Sequence, residues 1–399
     1  MDRIAGSPKL TPSAQAATSE LSPDQQRNSS ERAFSVDQLH GMPVPPQDHP
    51  HFEMPAKSDA DDAQSSLEKE VDLYRAAHPM YEDEGFDAAG RLHEEALKVS
   101  RETVQKFFAG EVPPHDDPRD LRPLVLFLVK NNMPNAISWL AVHADIGKLD
   151  LTSCSLGDAD MQTLADWLRT CPKPMELDLH HNNIGPDGVM ALAVALRESG
   201  LTSLDLGNNR IGNDGVRALC QNLPSAPRLQ ELRLQDVGMD NDGVAALADA
   251  LPVSELQKLS ISDTDARIDN AGAGQLAKAL GNNPALKQIR LVFSGVTDEG
   301  WTQIARSLKS NTQLQGLNIN ATMQPESARD DQFSLMLADA LRSNRTLQNL
   351  KVVGIDLSRS GAAALAASIR SSASLVNVSW PRSPLAEDVA VRGDRGIDS

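Results

Sequence analysis

Two stretches, LDLHHNNIGPDGVMALAVAL at 177–196 and LDLGNNRIGNDGVRALCQNL at 204–223, superimpose without a gap. LRLQDVGMDNDGVAALADAL at 232–251 and IRLVFSGVTDEGWTQIARSL at 289–308 follow the same template. Working outward, apolar pairs of the form LxL lead a unit at Leu149, Leu177, Leu204, Leu232, Leu259, Ile289, Leu317 and Leu350, with a degenerate ninth unit at Val378. The steps between them are 28, 27, 28, 27, 30, 28, 33 and 28 residues. Self-similarity at a fixed period of this size is the sequence signature of a solenoid. The two irregular steps place insertions near Asp263–Arg267 and Met323–Asp331.

Each unit changes period once. Its opening alternates apolar with outward residues, as a strand does. A turn follows, and the GxxLAxAL run then has helical spacing. Asn182 and Asn209 hold the sixth position of their units, where a buried amide both donates and accepts and so satisfies backbone groups leaving the strand. Cys154, Thr264, Ser294 and Thr322 stand at that position elsewhere. Val237 and Ile355 cannot form such bonds and predict interruptions in the fourth and eighth units. Gly188, Gly215, Gly243, Gly300 and Gly361 share an offset in the first helical turn, where close helix-to-strand packing favours a missing side chain. Asp187, Asp214, Asp242 and Glu299 precede four of them and suit the positive helix terminus.

The recurring LxLxxNxIGxxGxxxLAxAL resembles the ribonuclease-inhibitor-like class of leucine-rich repeats over about 149–380. That resemblance implies an α/β leucine-rich-repeat solenoid, a horseshoe with parallel strands on the concave side and helices on the convex side. Four segments are expected: 1–65, disordered and a possible secretion region; 66–145, helical and capping the array; 146–381, the repeats; and 382–399, a flexible tail. The first is rich in Ser, Pro, Gln and Asp without apolar period, a composition that does not offset its ordering entropy. In the second, SSLEKEVDLYRAA, FDAAGRLHEEALKVSRETVQKFFAG, LRPLVLFLVKNN and PNAISWLAVH carry helical spacing.

Composition narrows the partners. The 399 residues carry a net charge of -17 and only 4% aromatics, which excludes an aromatic or cationic nucleic-acid platform. The apolar runs, Leu124–Val129 and Val189–Leu196 among them, are too short to cross a bilayer, so membrane insertion is not expected. Three cysteines form no metal-ligand spacing and fit a reducing compartment. P-loop, GxSxG, HExxH and EF-hand patterns are absent, so the sequence predicts no cofactor, no metal and no catalysis. Sequons at Asn320, Asn344 and Asn377 matter only in a eukaryotic secretory pathway, and an RGD at 392–394 is a chance-sized match.

Two constellations mimic chemistry. His180 and His181 lie beside Asp178 and Asp187, yet no third ligand with metal spacing is near. Cys154, His180 and Asp178 could serve as nucleophile, base and orienter. Cys154 occupies the inward position of its unit, however, which predicts an inert structural thiol. The outward strand positions carry more information. Those expected to bind protein are Asp150, Glu176, Asp178, His180, Asp205, Glu231, Arg233, Arg290, Asn318 and Lys351, acidic early in the array and neutral to basic later.

GVMALAVAL, GVRALCQNL, GVAALADAL and GAAALAASI resemble the GALA-type repeats of effectors injected into plant cells by bacterial type III secretion. The resemblance implies a secreted interaction protein that binds a host protein in the host cytoplasm; a cytoplasmic protein is the alternative. GALA-type effectors carry an F-box before the repeats that recruits a ubiquitin-ligase scaffold. The corresponding DLRPLVLFLVKNNMPNAISWL at 120–140 departs from an F-box. Activators of the small GTPase Ran share the repeat class, but their acidic tail has no counterpart in RGDRGIDS. An enzyme within 66–145 is the third alternative, with His78, His93 and His115 available. Oligomeric state is not legible.

Overall fold

The computed structural model describes residues 103, 106–107, 111–113, 115, 118–170, 173–321, 331–355 and 357–380. The 1–65 segment, the helix expected over 65–77 and the tail 382–399 with its RGD lie outside the described residues, as do Cys171, Thr322 and most of the helix expected over 86–110.

Nine parallel strands pair in chain order within one sheet: β1 (Lys148–Asp150), β2 (Met175–Asp178), β3 (Leu201–Asp205), β4 (Glu231–Gln235), β5 (Lys258–Asp263), β6 (Gln288–Phe293), β7 (Gly316–Ala321), β8 (Asn349–Val353) and β9 (Asn377–Ser379). Parallel neighbours require a crossover, and each repeat supplies it as a helix. These helices are α3 (Asp158–Thr170), α4 (Pro186–Ala195), α5 (Gly212–Asn222), α6 (Asn241–Ala250), α7 (Asn270–Asn282), α8 (Asp298–Ser307), α9 (Gln332–Ser343) and α10 (Arg359–Ser371). Two more, α1 (Arg122–Lys130) and α2 (Pro134–His143), precede the first strand.

The leading apolar residues pair in register from Leu149 through Leu177, Leu204, Leu232, Leu259, Ile289, Leu317 and Leu350 to Val378. Leu177, Leu179, Val189, Leu192 and Leu196 of the second unit are all buried. A buried leucine contributes about 1.5–3 kcal/mol relative to an exposed one, so every unit stabilises its neighbours through one continuous core. At the start of the array Leu124, Val125, Leu126 and Leu128 of α1 join that core and cover the first repeat. Phe107 is buried edge-on to Trp139 of α2, their rings 5.3 Å apart.

Local chemistry sets the strand ends. Ser153, His181, Asn208 and Asp236 occupy the fifth position of units one to four, and all have φ between 50° and 56°. That left-handed residue breaks the strand and starts the turn. Units five to seven lack it, and there β5, β6 and β7 each run for 6 residues. Gly354 restores it in unit eight with φ 80°.

The amide ladder forms as expected where asparagine is present. Asn182 Oδ1 accepts from the Cys154 and Leu156 N–H groups, both at 3.0 Å, while its Nδ2 donates to the Leu151 and Leu179 carbonyls at 2.9 Å. Asn209 repeats the pattern one unit on, taking the Ile184 N–H and donating to Leu179 and Leu206. Val237 and Ile355 are buried and interrupt it. The expectation for Thr264 is corrected. It is exposed, and the buried Asp263 takes the inward place, with Oδ2 accepting from the Ile268 N–H at 2.7 Å. The longer β5 shifts the inward position by one residue.

The glycine expectation is also corrected. A Cβ on Gly243 would lie 2.7 Å from Asn213 Oδ1, on Gly272 2.5 Å from Asn241 Oδ1, and on Gly300 2.6 Å from Asn270 Oδ1. The missing side chain therefore serves helix-to-helix approach between successive repeats, not helix against strand. These asparagines form a second ladder along the helix starts: Asn241 Oδ1, for example, accepts from the Asp269 and Gly272 N–H groups, both at 3.1 Å.

A third ladder, of buried Asn283, Asn311 and Asn344, runs along the helix ends and holds the carbonyls of Leu251, Leu280 and Leu308. Asn344, the asparagine of a sequon, is thus part of the frame. The recurrence of these three residues at steps of 28 and 33, matching the strand steps, was the signal for them in the sequence.

Candidate interaction face

Strand alternation sends every second side chain out of the sheet on the side away from the helices. Register aligns them into rows. One runs Asp150, Asp178, Asp205, Arg233, Ser260, Arg290, Asn318, Lys351, Ser379. Beside it Glu176, Ser203, Glu231, Lys258, Gln288, Gly316 and Asn349 follow one another in pairing order. All ten residues expected to bind protein belong to this one face: nine in these two rows, and His180 two positions beyond Asp178, just past the end of β2.

The carboxylates of β1–β3 also serve the fold. Asp150 accepts from the Thr152 N–H at 3.0 Å, Asp178 from His180 N–H at 3.1 Å and Asp205 from Gly207 N–H at 2.9 Å. Each ties down the backbone two residues on, as aspartates do at turns. Salt bridges link Asp150 to Arg122 of α1 at 3.7 Å and Asp178 to Lys148 at 3.9 Å.

Asp205 departs from the expectation of an open docking group, because it is only 7% exposed. His180 Nδ1 stands 3.7 Å from its Oδ1 and Arg233 Nη1 3.4 Å from its Oδ2. Burial by itself would raise the Asp205 pKa; the His180 ring, the Gly207 N–H and Arg233 outweigh it and hold the carboxyl below its ordinary value. The same carboxylate raises the His180 pKa. On its other nitrogen, His180 Nε2 is 2.9 Å from the Asn208 amide, which can donate to a neutral ring or turn its oxygen to a charged one. The network continues from Arg233 to Glu231 at 2.5 Å and from Glu231 to Lys258 at 3.3 Å.

Along β6–β8 the face changes. The side chains of Arg290, Asn318 and Lys351, like that of Glu176 earlier, have no hydrogen-bond or ion-pair partner among the described residues. A cavity of about 620 Å³ opens over β4–β9, with the leading apolar residues Leu259, Ile289, Leu317, Leu350 and Val378 in its lining. Arg233, Lys258, Arg290 and Lys351 line it against the single carboxylate of Glu231. On β1–β3 the balance reverses, with Lys148 against Asp150, Glu176, Asp178 and Asp205.

The features that mimicked chemistry separate. His181 begins the turn with a left-handed backbone, and its ring lies 6.4 Å from that of His180. Cys154 is buried, with Arg122 donating to its Sγ from Nε at 3.4 Å and Nη2 at 3.3 Å. Burial pushes its pKa up despite that guanidinium, and burial pushes Cys220 up to about 12. Thiols kept protonated are poor nucleophiles. Among the described residues no group of three His, Cys, Asp or Glu side chains could hold a metal ion. No helix of the described residues is long and apolar enough to cross a membrane.

Repeat, register and face define a leucine-rich-repeat solenoid. A leucine-rich-repeat family model matches residues 175–193 and 201–220. Among known proteins, the ribonuclease inhibitor of Mus musculus is 30% identical over 43% of this chain and 38% of its own length. The human NACHT, LRR and PYD domains-containing protein 13 is 27% identical over 56% of this chain and 21% of its own. The chain therefore spans well under half the length of these relatives. A chain of the Rad7–Elc1 complex from yeast is similar at 15% identity, with a TM-score of 0.40, covering 83% of this chain and 75% of that one.

Proposed function

We propose that this protein is a non-catalytic interaction protein that binds a protein partner on the exposed face of its sheet. The observation that carries this is the set of outward rows, which hold more than a dozen polar side chains in fixed register across all nine strands. A rigid, polar surface of that length suits another folded protein better than a small molecule. The relative named for inhibiting ribonuclease acts on another protein, which supports the same reading.

The finer proposal is that the chain is a bacterial type III effector and the partner a host protein. Its support is the resemblance of GVMALAVAL and its counterparts to GALA-type repeats, together with the Ser-, Pro- and Gln-rich composition of 1–65. A secretion assay comparing the full chain with one lacking 1–65 tests the export half; secretion that persists without the segment rejects that role. Binding is tested by placing a photo-crosslinking residue at Asn318 on the sheet and at Met190, which is exposed on α4. Adducts with a host protein are expected from Asn318, and adducts from Met190 alone would reject the sheet face.

A further inference from the structure

On a chain with net charge -17, the cavity over β4–β9 carries four cations and one carboxylate. Three of the four share one row, with Arg233 on β4, Arg290 on β6 and Lys351 on β8, separated by Ser260 and Asn318. Neighbouring strands lie about 4.8 Å apart, so successive cations recur at about 9.6 Å across the sheet. A polyproline II segment rises about 3.1 Å per residue with three residues per turn, which returns side chains to one face every 9.3 Å or so. An extended strand returns them every 6.7 Å or so and falls out of step at once. An α-helix returns them over two turns at about 10.8 Å and drifts by about 2 Å across the two intervals.

The neighbouring row fits the rest of such a segment. Gly316, which adds no side chain and lies against the stem of Gln288, separates Gln288 from Asn349, both exposed amides. Polyproline II backbone has no internal hydrogen bonds, so its carbonyls and N–H groups are free to meet amide side chains. Arg290 and Lys351 enter without a carboxylate to displace, whereas Arg233 is already held by Asp205 and Glu231. The two free cations therefore dominate.

We propose that this cavity binds an acidic segment of a partner protein in the polyproline II conformation, with a carboxylate at every third residue. The inference rests on the reading of the sheet face as a protein-binding surface. Its test uses the full chain and two fluorescent nonapeptides of identical composition, Pro and Glu, one with Glu at every third position and one with its Glu residues clustered. Anisotropy should show tighter binding of the spaced peptide, weakening with salt. The double variant Arg290→Glu, Lys351→Glu should weaken it about tenfold or more, and Asp249→Lys, exposed on α6 and away from the sheet face, should leave it within about twofold. If the reversal unfolds the protein by circular dichroism, Arg290→Gln with Lys351→Gln replaces it.

Equal binding of the clustered peptide would overturn the proposal, as would indifference to the variants or preferential binding of a single-stranded oligonucleotide. No peptide binding alongside retained crosslinking from Asn318 overturns this inference and leaves the protein-binding reading standing. Loss of both rejects the face altogether.

Discussion

His180 Nδ1 and Asp205 Oδ1 stand 3.7 Å apart across β2 and β3, and each shifts the other's protonation. His180 is raised from its ordinary value chiefly by that carboxylate, so its charged form is the one the fold stabilises. Stability from a raised histidine is complete below the unfolded pKa of about 6.5 and is lost as pH rises through the folded value. The advantage of the wild type over His180→Gln should therefore be larger at about pH 5.5 than at about pH 8, measured by urea unfolding. The His180 ring proton should titrate above the ordinary midpoint by NMR and fall back in Asp205→Asn. A midpoint unaffected by Asp205→Asn would remove the carboxylate as the cause.

Asp205 carries the opposite sign. Its folded pKa is depressed, so its contribution is present above the ordinary carboxylate value and lost as pH falls through the folded one. Asp205→Ala leaves the Gly207 N–H without its acceptor and Arg233 with Glu231 alone. A cost of about 1–3 kcal/mol at neutral pH is expected. Asp178, which is more exposed, should cost less when replaced.

Asn209→Ala removes the partner of the buried Ile184 N–H and of the Leu179 and Leu206 carbonyls. Each orphaned group costs about 1–3 kcal/mol, so the total should reach about 3 kcal/mol even after relaxation. Because repeats are coupled only to neighbours, amide exchange should accelerate around units two and three before it does near β8. Uniform acceleration would contradict nearest-neighbour coupling.

Gly243→Ala and Gly147→Ala separate packing from propensity. A Cβ on Gly243 would meet Asn213 Oδ1 at 2.7 Å and Met239 Cβ at 2.8 Å, whereas one on Gly147 meets nothing within 4 Å. The first should destabilise by about 1–3 kcal/mol as overpacking does. The second should change thermal stability little or raise it slightly, since alanine narrows the unfolded ensemble.

The sequence by itself determined the repeat, its strand–turn–helix order, the inward leucines, the Asn182–Asn209 ladder and the identity of the outward residues. All of these follow from chemistry within one unit: period two, period 3.6 and an amide at the sixth place. Tertiary structure decided what each outward residue does. Asp205 and Arg290 hold equivalent positions, yet one is buried between His180 and Arg233 and the other is free. The difference lies in the neighbours, which are some 28 residues away in sequence and adjacent only once the strands stack. Thr264 gave way to Asp263 for a related reason, since strand length in β5 depends on pairing with β6 through Phe293. The glycines marked a close approach in the sequence, but only the stacked helices revealed that the approaching group at Gly243 and Gly300 is the preceding repeat's asparagine.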